Sequence, residues 1–354
     1  MARSTCIYGP TGSRKTTQAK YLARYVYERT GKATLLLSTD GGGWEPCEPE
    51  IQAGLILPYR IDTSALPMPI LRKLSQGYWP VDPLETDPGK IRVKLVNWSK
   101  IGGYVVEGWS SISQVIMRYL PDAGISVGGE DRNKLGGFDQ PLRDEAGNVM
   151  MEHFRSNTRG DYGFVQNQLY GLVVNFNSLP VQDILYTALE SKGEDEDKST
   201  VLGPQISGKK ATGQCGSWVG NLVHAQDFPI HRKVRVPDPQ DPARTIEEDQ
   251  LDMAVRFYFK KHPDPQTGLF FPAKPRLTPE RMPDLDKRFP GGYFEPTLDG
   301  QNTLADYLGL LDSLAGGQGD AMRKWREQMD AKLGRNKQAP QPTPQPAATS
   351  TKSN

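Results

Sequence analysis

Nine consecutive residues, Gly9-Pro10-Thr11-Gly12-Ser13-Arg14-Lys15-Thr16-Thr17, have the types and spacing that grip a polyphosphate. Glycines let backbone N–H groups curl around an anion, and a helix starting behind them adds the positive end of its dipole. Lys15 is placed to reach the β- and γ-phosphates, and the Thr16 hydroxyl to hold Mg²⁺. The stretch therefore predicts a phosphate-binding P-loop, with all nine residues contributing to the cofactor site. One position departs from the pattern: Arg14 stands where glycine is usual. An L-residue there must point its Cβ away from the phosphates, and the backbone loses freedom. The same nine residues would also suit an ordinary turn before a helix, or a loop that no longer binds nucleotide.

Five further places hold residues capable of chemistry. The run Gly103-Tyr104-Val105-Val106-Glu107 is a short β-branched strand closed by an acid. That is the Walker B layout, in which the carboxylate orders the Mg²⁺ shell, usually through water. Glu107 replaces the more usual aspartate, so it is a candidate metal-side and catalytic acid; the alternative is a core strand with a solvated terminal acid. Asp40 follows the apolar run Ala33–Ser38 and stands at a strand end, where α/β sheets gather ligands. It is either a catalytic carboxylate or the start of a glycine turn. Glu190 lies just beyond Asp183–Ala188, where a polar group can sense a γ-phosphate and pass its state to the next loop. Lys209 and Lys210 follow Gly208 on a polar loop, where they could hold a nucleic-acid backbone or form a plain basic turn. Lys274 and Arg276, at the end of a late strand, are either structural or able to reach a neighbouring subunit's nucleotide.

These residues need elements to hold them. Cys6-Ile7-Tyr8 reads as a strand ahead of the loop, and Ala19, Leu22, Ala23 and Val26 recur at helical spacing behind it, with Gly31 as the stop. Ala33–Ser38 is a continuous apolar run suited to a strand buried on both faces. Short strands are expected at Leu55–Leu57 and Ile91–Val93, and Ser110 and Ser111 are expected to cap a helix through Ile112, Val115, Ile116 and Leu120. Residues 121–160 read as a flexible insertion. A helix from Asp161 then leads to the strand Asp183–Ala188. Ser191 to Gln214 reads as a loop whose acidic first half is solvated and mobile. Arg232–Val236 and Leu251–Lys260 read as a hairpin. After Pro279 strand character is lost. Leu304, Leu308 and Leu311 mark one amphipathic helix, and Met322, Trp325, Met329 and Leu333 mark a second, suited to docking a protein partner. The proline-rich tail from Asn336 is expected to be disordered.

Composition narrows the classes. At 354 residues the chain can bury a large core, and its 29 prolines and 36 glycines imply many loops around it. A formal net charge of +1 gives no global attraction to nucleic acid, so any basic surface must be local. Three separated cysteines and four scattered histidines offer no metal spacing and fit reduced thiols. The opening Met1-Ala2-Arg3-Ser4 leads straight into a strand, and no apolar run approaches a membrane span. The expectation is a soluble cytoplasmic protein with no membrane partner.

The ordered set of motifs resembles the RecA-like P-loop ATPases, and within them the single-strand annealing recombination ATPases of bacteriophages. The resemblance spans most of residues 4–276. It rests on the Gly9–Thr17 loop, the Val105-Val106-Glu107 strand, the helix from Asp161 leading to Ile184–Ala188, and Gly203-Pro204-Gln205-Ile206-Ser207-Gly208-Lys209-Lys210, which is similar to a Gly-Pro-…-Gly-Lys segment of the phage proteins. The resemblance implies an α/β RecA-like core over residues 1–278, with a mainly parallel sheet flanked by helices and late β-hairpins. A helical C-terminal extension over 279–335 and a disordered tail over 336–354 would follow. It also implies ATP with Mg²⁺, assembly into a ring or filament, and single-stranded DNA held by mobile loops in the host cytoplasm. By position it gives Lys15 and Thr16 to phosphate and metal, Asp40 to water activation, Glu190 to the γ-phosphate sensor, and Lys274 and Arg276 to the adjacent subunit's site. Arg14, Glu107, Asp40 and the 121–160 insertion depart from the family pattern. They leave open a second expectation: a nucleotide-gated assembly or scaffold protein with weak or no hydrolysis.

Overall fold

A computed structural model describes residues 2–39, 44–61, 68–85, 89–122, 159–194, 199–237, 245–265, 267–297 and 300–314. Asp40, the 121–160 insertion apart from its two ends, the Met322–Leu333 segment and the tail from Asn336 lie outside the described residues.

The centre is an eight-stranded sheet. Its strands are β1 (Arg3–Tyr8), β2 (Ala33–Ser38), β3 (Ile56–Arg60), β4 (Ile101–Glu107), β5 (Asp183–Ala188), β6 (Asn221–Pro237), β7 (Thr245–Tyr258) and β8 (Tyr293–Phe294). They lie side by side in the order β3-β2-β4-β5-β1-β6-β7-β8. The strands from β3 to β6 are mutually parallel, while β7 and β8 close the far edge antiparallel. This is the mainly parallel α/β architecture expected. β1 sits between β5 and β6, so the loop that follows it opens at the middle of the sheet's carboxyl edge.

Alternation along the strands explains why the apolar runs are unbroken. Ile7, Leu36, Val105, Leu185 and Val223 point to one face, where they meet Leu22 and Val26 of helix α1 (Thr17–Thr30). Their neighbours Tyr8, Leu35, Leu37, Tyr104, Val106 and Tyr186 point to the other face. That face is covered by α2 (Met68–Ser75), α3 (Trp109–Asp122) and α4 (Arg159–Asn177). A strand buried on both faces has no polar side to show, so periodicity of two is lost in its sequence. The helix Lys209–Gln214 is α5, and Leu304–Leu314 is α6. Leu304, Leu308 and Leu311 are all buried against the α1 side, as their spacing predicts. Each such side chain contributes roughly 1.5–3 kcal/mol.

Arg3 fastens this last helix to the first strand. Its Nε donates to Asp183 at 2.6 Å, while one terminal nitrogen donates to Asp312 at 2.7 Å and to the Leu308 carbonyl at 3.1 Å. The other reaches the Tyr25 hydroxyl at 3.3 Å. One guanidinium thus joins β1, β5, α1 and α6. Burial works against its charge, but the surrounding Asp183, Tyr25 and Asp312 oxygens outweigh that and raise its affinity for the proton.

Several local expectations are corrected. Ser110 and Ser111 lie inside the first turn of α3, which begins at Trp109, and Ser110 Oγ instead accepts the Leu189 N–H at 2.9 Å. The stretch after Ala188 is a hairpin, Glu190–Glu194 paired with Thr200–Pro204, where the sequence reads as loop. Backbone pairing holds it in spite of low strand propensity, because tertiary context outweighs side-chain preference. Lys209 and Lys210 open α5 rather than a turn. β6 starts at Asn221, well before the expected Arg232. A two-residue strand also forms after Pro279, at Tyr293–Phe294.

Candidate nucleotide-binding site

The Gly9–Thr17 loop joins β1 to α1. Gly9 is dictated by space: a Cβ there would sit 2.2 Å from the Ala225 carbonyl oxygen of β6. Gly12 has φ +86° and Arg14 φ +55°, so the curl is made by left-handed residues. Arg14 therefore takes a conformation that glycine adopts freely and that costs an L-residue about 1 kcal/mol. Its N–H donates to the Gly12 carbonyl at 2.8 Å, and its guanidinium reaches across to the Met253 carbonyl on β7 at 3.3 Å. The Lys15 ammonium lies within the curl. It donates to the Gly9 carbonyl at 3.0 Å, to the Ser13 hydroxyl at 3.1 Å and to the Pro10 carbonyl.

The metal-side pair meets beside the loop. The Thr16 hydroxyl donates to Glu107 Oε1, bringing the residue just ahead of α1 onto the last residue of β4. Glu107 is only 2% exposed. Behind it, the Thr39 hydroxyl lies 2.9 Å from both the Glu107 and Gly108 carbonyls, and the Gly108 N–H donates to Thr187 Oγ1 at 3.1 Å. The carboxyl ends of β2, β4 and β5 are thereby laced together, and the Glu107 backbone is fixed from both sides. A cleft of about 470 Å³ opens between Thr11–Thr17 on one wall and Gly108, Ser110, Ser111 and Thr187–Leu189 on the other. That size suits a small cofactor. A hydroxyl and a carboxylate are hard oxygen donors, the set Mg²⁺ prefers. Thr16 and Glu107 would hold the ion, which when bound neutralises charge on phosphate oxygens.

The remaining predicted residues are dispersed. Glu190 is not in the wall of the cleft, although Leu189 beside it is. Its carboxylate lies 2.9 Å from His224 Nε2, and His224 Nδ1 lies 3.0 Å from His262 Nε2. His262 Nδ1 in turn donates to the Lys260 carbonyl at 3.2 Å. Burial lowers the proton affinity of His224, and it pushes His262 down to about 4. Little in the local pattern warns of these two histidines. The available signal was a histidine inside the otherwise apolar run Leu222-Val223-His224-Ala225.

Lys274 and Arg276 are not brought to this loop. The backbone of Lys274 pairs with Leu222 at 2.8 and 2.9 Å, and the Arg276 N–H donates to Asn221 Oδ1 at 2.7 Å. Leu222 is level with Cys6, so these cations flank the first half of β6 rather than the cleft at the strands' carboxyl ends. Burial and the neighbouring Arg276 lower the Lys274 ammonium. Lys209 and Lys210 are placed at the start of α5.

No family model matches the chain, and no curated protein matches it. Among solved structures, the KaiC-like protein PH0186 from Pyrococcus horikoshii OT3 is similar over 76% of this chain and 89% of that one, with 10% identity and a TM-score of 0.30. The functional reading rests on the site itself. No helix among the described residues is long and apolar enough to cross a membrane.

Proposed function

We propose that this chain is an Mg²⁺-dependent, ATP-binding P-loop ATPase that acts on single-stranded DNA in phage recombination or replication. The observation that carries the nucleotide part is the meeting of the Thr16 hydroxyl with the buried Glu107 carboxylate beside the Lys15 ammonium. Phosphates entering the loop take over Lys15 from the carbonyls of Gly9 and Pro10, and backbone N–H groups of the curl donate to them. Thr16 and Glu107 orient the metal side. Asp40, which follows β2, is the candidate for orienting the attacking water. Lys274 and Arg276, remote from their own loop, serve the loop of a neighbouring copy in a ring or filament. Lys209 and Lys210 supply phosphate contacts to DNA, a sequence-independent attraction.

The position of Arg14 favours a second reading, a nucleotide-gated scaffold with weak hydrolysis. A left-handed arginine stiffens the turn that must embrace the phosphates, and its side chain is engaged on β7. ATP turnover by purified protein, with and without single-stranded DNA and beside Lys15→Ala, separates the readings. Turnover that rises with DNA and vanishes in the variant is the expected result. Binding without turnover selects the scaffold. Absence of binding removes both.

A further inference from the structure

The row Lys260 carbonyl, His262, His224, Glu190 contains three close contacts between polar atoms, at 3.2, 3.0 and 2.9 Å. Each contact needs one hydrogen. The carbonyl and an ionised carboxylate bring none, and two neutral imidazoles bring one each. Completing all three contacts therefore requires a third hydrogen, whether carried by an imidazole or by the Glu190 carboxyl. The count does not depend on which group carries it.

The setting makes that hydrogen matter. His224 is 1% exposed, with Phe271 stacked on it at 3.7 Å and the Tyr8 ring tilted against it at 4.9 Å, while Tyr258 stacks on His262 at 3.7 Å. In such surroundings an incomplete contact is costly. The charges facing His224 come from several elements. Glu190 and Asp264 favour a proton there, and the Lys15 ammonium of the nucleotide loop opposes it. Asp227 in turn feels Lys15, Arg14 and Glu190. Connectivity ties the row to the cleft at two points. Glu190 follows Leu189 of the cleft wall and opens the Glu190–Glu194/Thr200–Pro204 hairpin. His224 is paired with Tyr8, the residue before Gly9.

We propose that filling the Gly9–Thr17 loop with a polyphosphate is coupled to uptake of a proton from solvent by the Glu190–His224–His262 row. The inference rests on the nucleotide-binding reading. Bound phosphates neutralise Lys15 and add negative charge, so the opposition to the proton is replaced by attraction. The third hydrogen then completes the row and fixes Glu190, and with it the base of the hairpin, against β6. By linkage, nucleotide affinity rises as pH falls through the window between the row's proton affinities in the free and bound states. Lys15 is thus both a phosphate ligand and the carrier of the signal.

The test is calorimetric titration of the intact protein with MgATP near pH 6.5, in two buffers of different ionisation heat, which counts protons taken up on binding. The Glu190→Gln variant supplies an amide N–H to His224 Nε2 permanently, so its row is complete without the extra proton. Subtracting its count removes the nucleotide's own ionisation. His262→Gln, at a less buried position, provides a second comparison should the first variant fold poorly. The wild type is expected to take up a measurable fraction of one proton more than either variant, and to show a steeper gain in affinity toward acid. MgATP bound with equal proton counts in all three would overturn the inference and leave the nucleotide reading standing. No binding of MgATP by the wild type would remove both.

Discussion

Strand β5 has a carboxylate near each end, and each meets a different kind of partner. Asp183, its first residue, is bonded to the Arg3 guanidinium at 2.6 Å, which Asp312 and Tyr25 also surround. Glu190, two residues past its last, meets the His224 imidazole at 2.9 Å. An arginine stays charged at any pH the protein meets, so the amino end of the sheet is locked. A histidine can change charge when its surroundings change, and burial holds His224 toward the neutral form, so the carboxyl end can respond to a new neighbouring charge. The locked end joins α6 to the body of the fold, and the responsive end adjoins the phosphate loop. One strand thus separates what must not change from what must.

The sharpest way to break this contrast is Asp183→Asn. Removing one partner of a buried pair leaves the other charge poorly compensated, and the expected loss is about 3 kcal/mol of folding stability by denaturant unfolding. That loss should be nearly constant across neutral pH. His262→Gln probes the other end. His262 is pushed down to about 4, below its ordinary value of about 6.5, so the fold favours the neutral ring. Its contribution to stability is present above about 6.5 and is lost as pH falls toward 4. Because the ring is only half-buried, solvent screening reduces the effect to about 1–2 kcal/mol. Melting temperatures of wild type and variant should therefore differ near neutrality and converge toward acid; parallel curves would show that the ring does not titrate as described. Asp312→Ala removes the more exposed acid of the Arg3 group and should cost about 1 kcal/mol, since Asp183 remains to hold the guanidinium. The smallest effect is expected from Arg14→Gly. Relief of the left-handed conformation, partly offset by the freedom glycine gains on unfolding, gives a stabilisation of at most about 1 kcal/mol.

The sheet was legible because its strands are apolar throughout. The apolar runs Ala33–Ser38 and Asp183–Ala188 coincide with β2 and β5, and the turn signal at Gly31 falls at the left-handed cap of α1. The hairpin Glu190–Glu194/Thr200–Pro204 was not legible. Glu190-Ser191-Lys192-Gly193-Glu194 has neither alternation nor β-branched residues, and only its partner strand makes it extended. The same limit applied at the site. Thr16 and Glu107 belong to motifs with fixed local spacing, so their meeting could be anticipated. Glu190, His224 and His262 meet because β5, β6 and the turn after β7 converge, and no local pattern encodes that. Lys274 and Arg276 lie near each other in sequence, but their backbone follows the early part of β6, away from the cleft.

Gly9 carries one more consequence. The position excludes a side chain because β6 brings the Ala225 carbonyl to within 2.2 Å of where a Cβ would stand. The sheet itself needs this glycine, with or without a phosphate in the loop. A descendant that had abandoned nucleotides would face no pressure to change it, while Lys15 and Thr16 would be free to drift. When such loops are compared across related chains, the first glycine reports that the strands still close, and the lysine and threonine report whether the site is still in use.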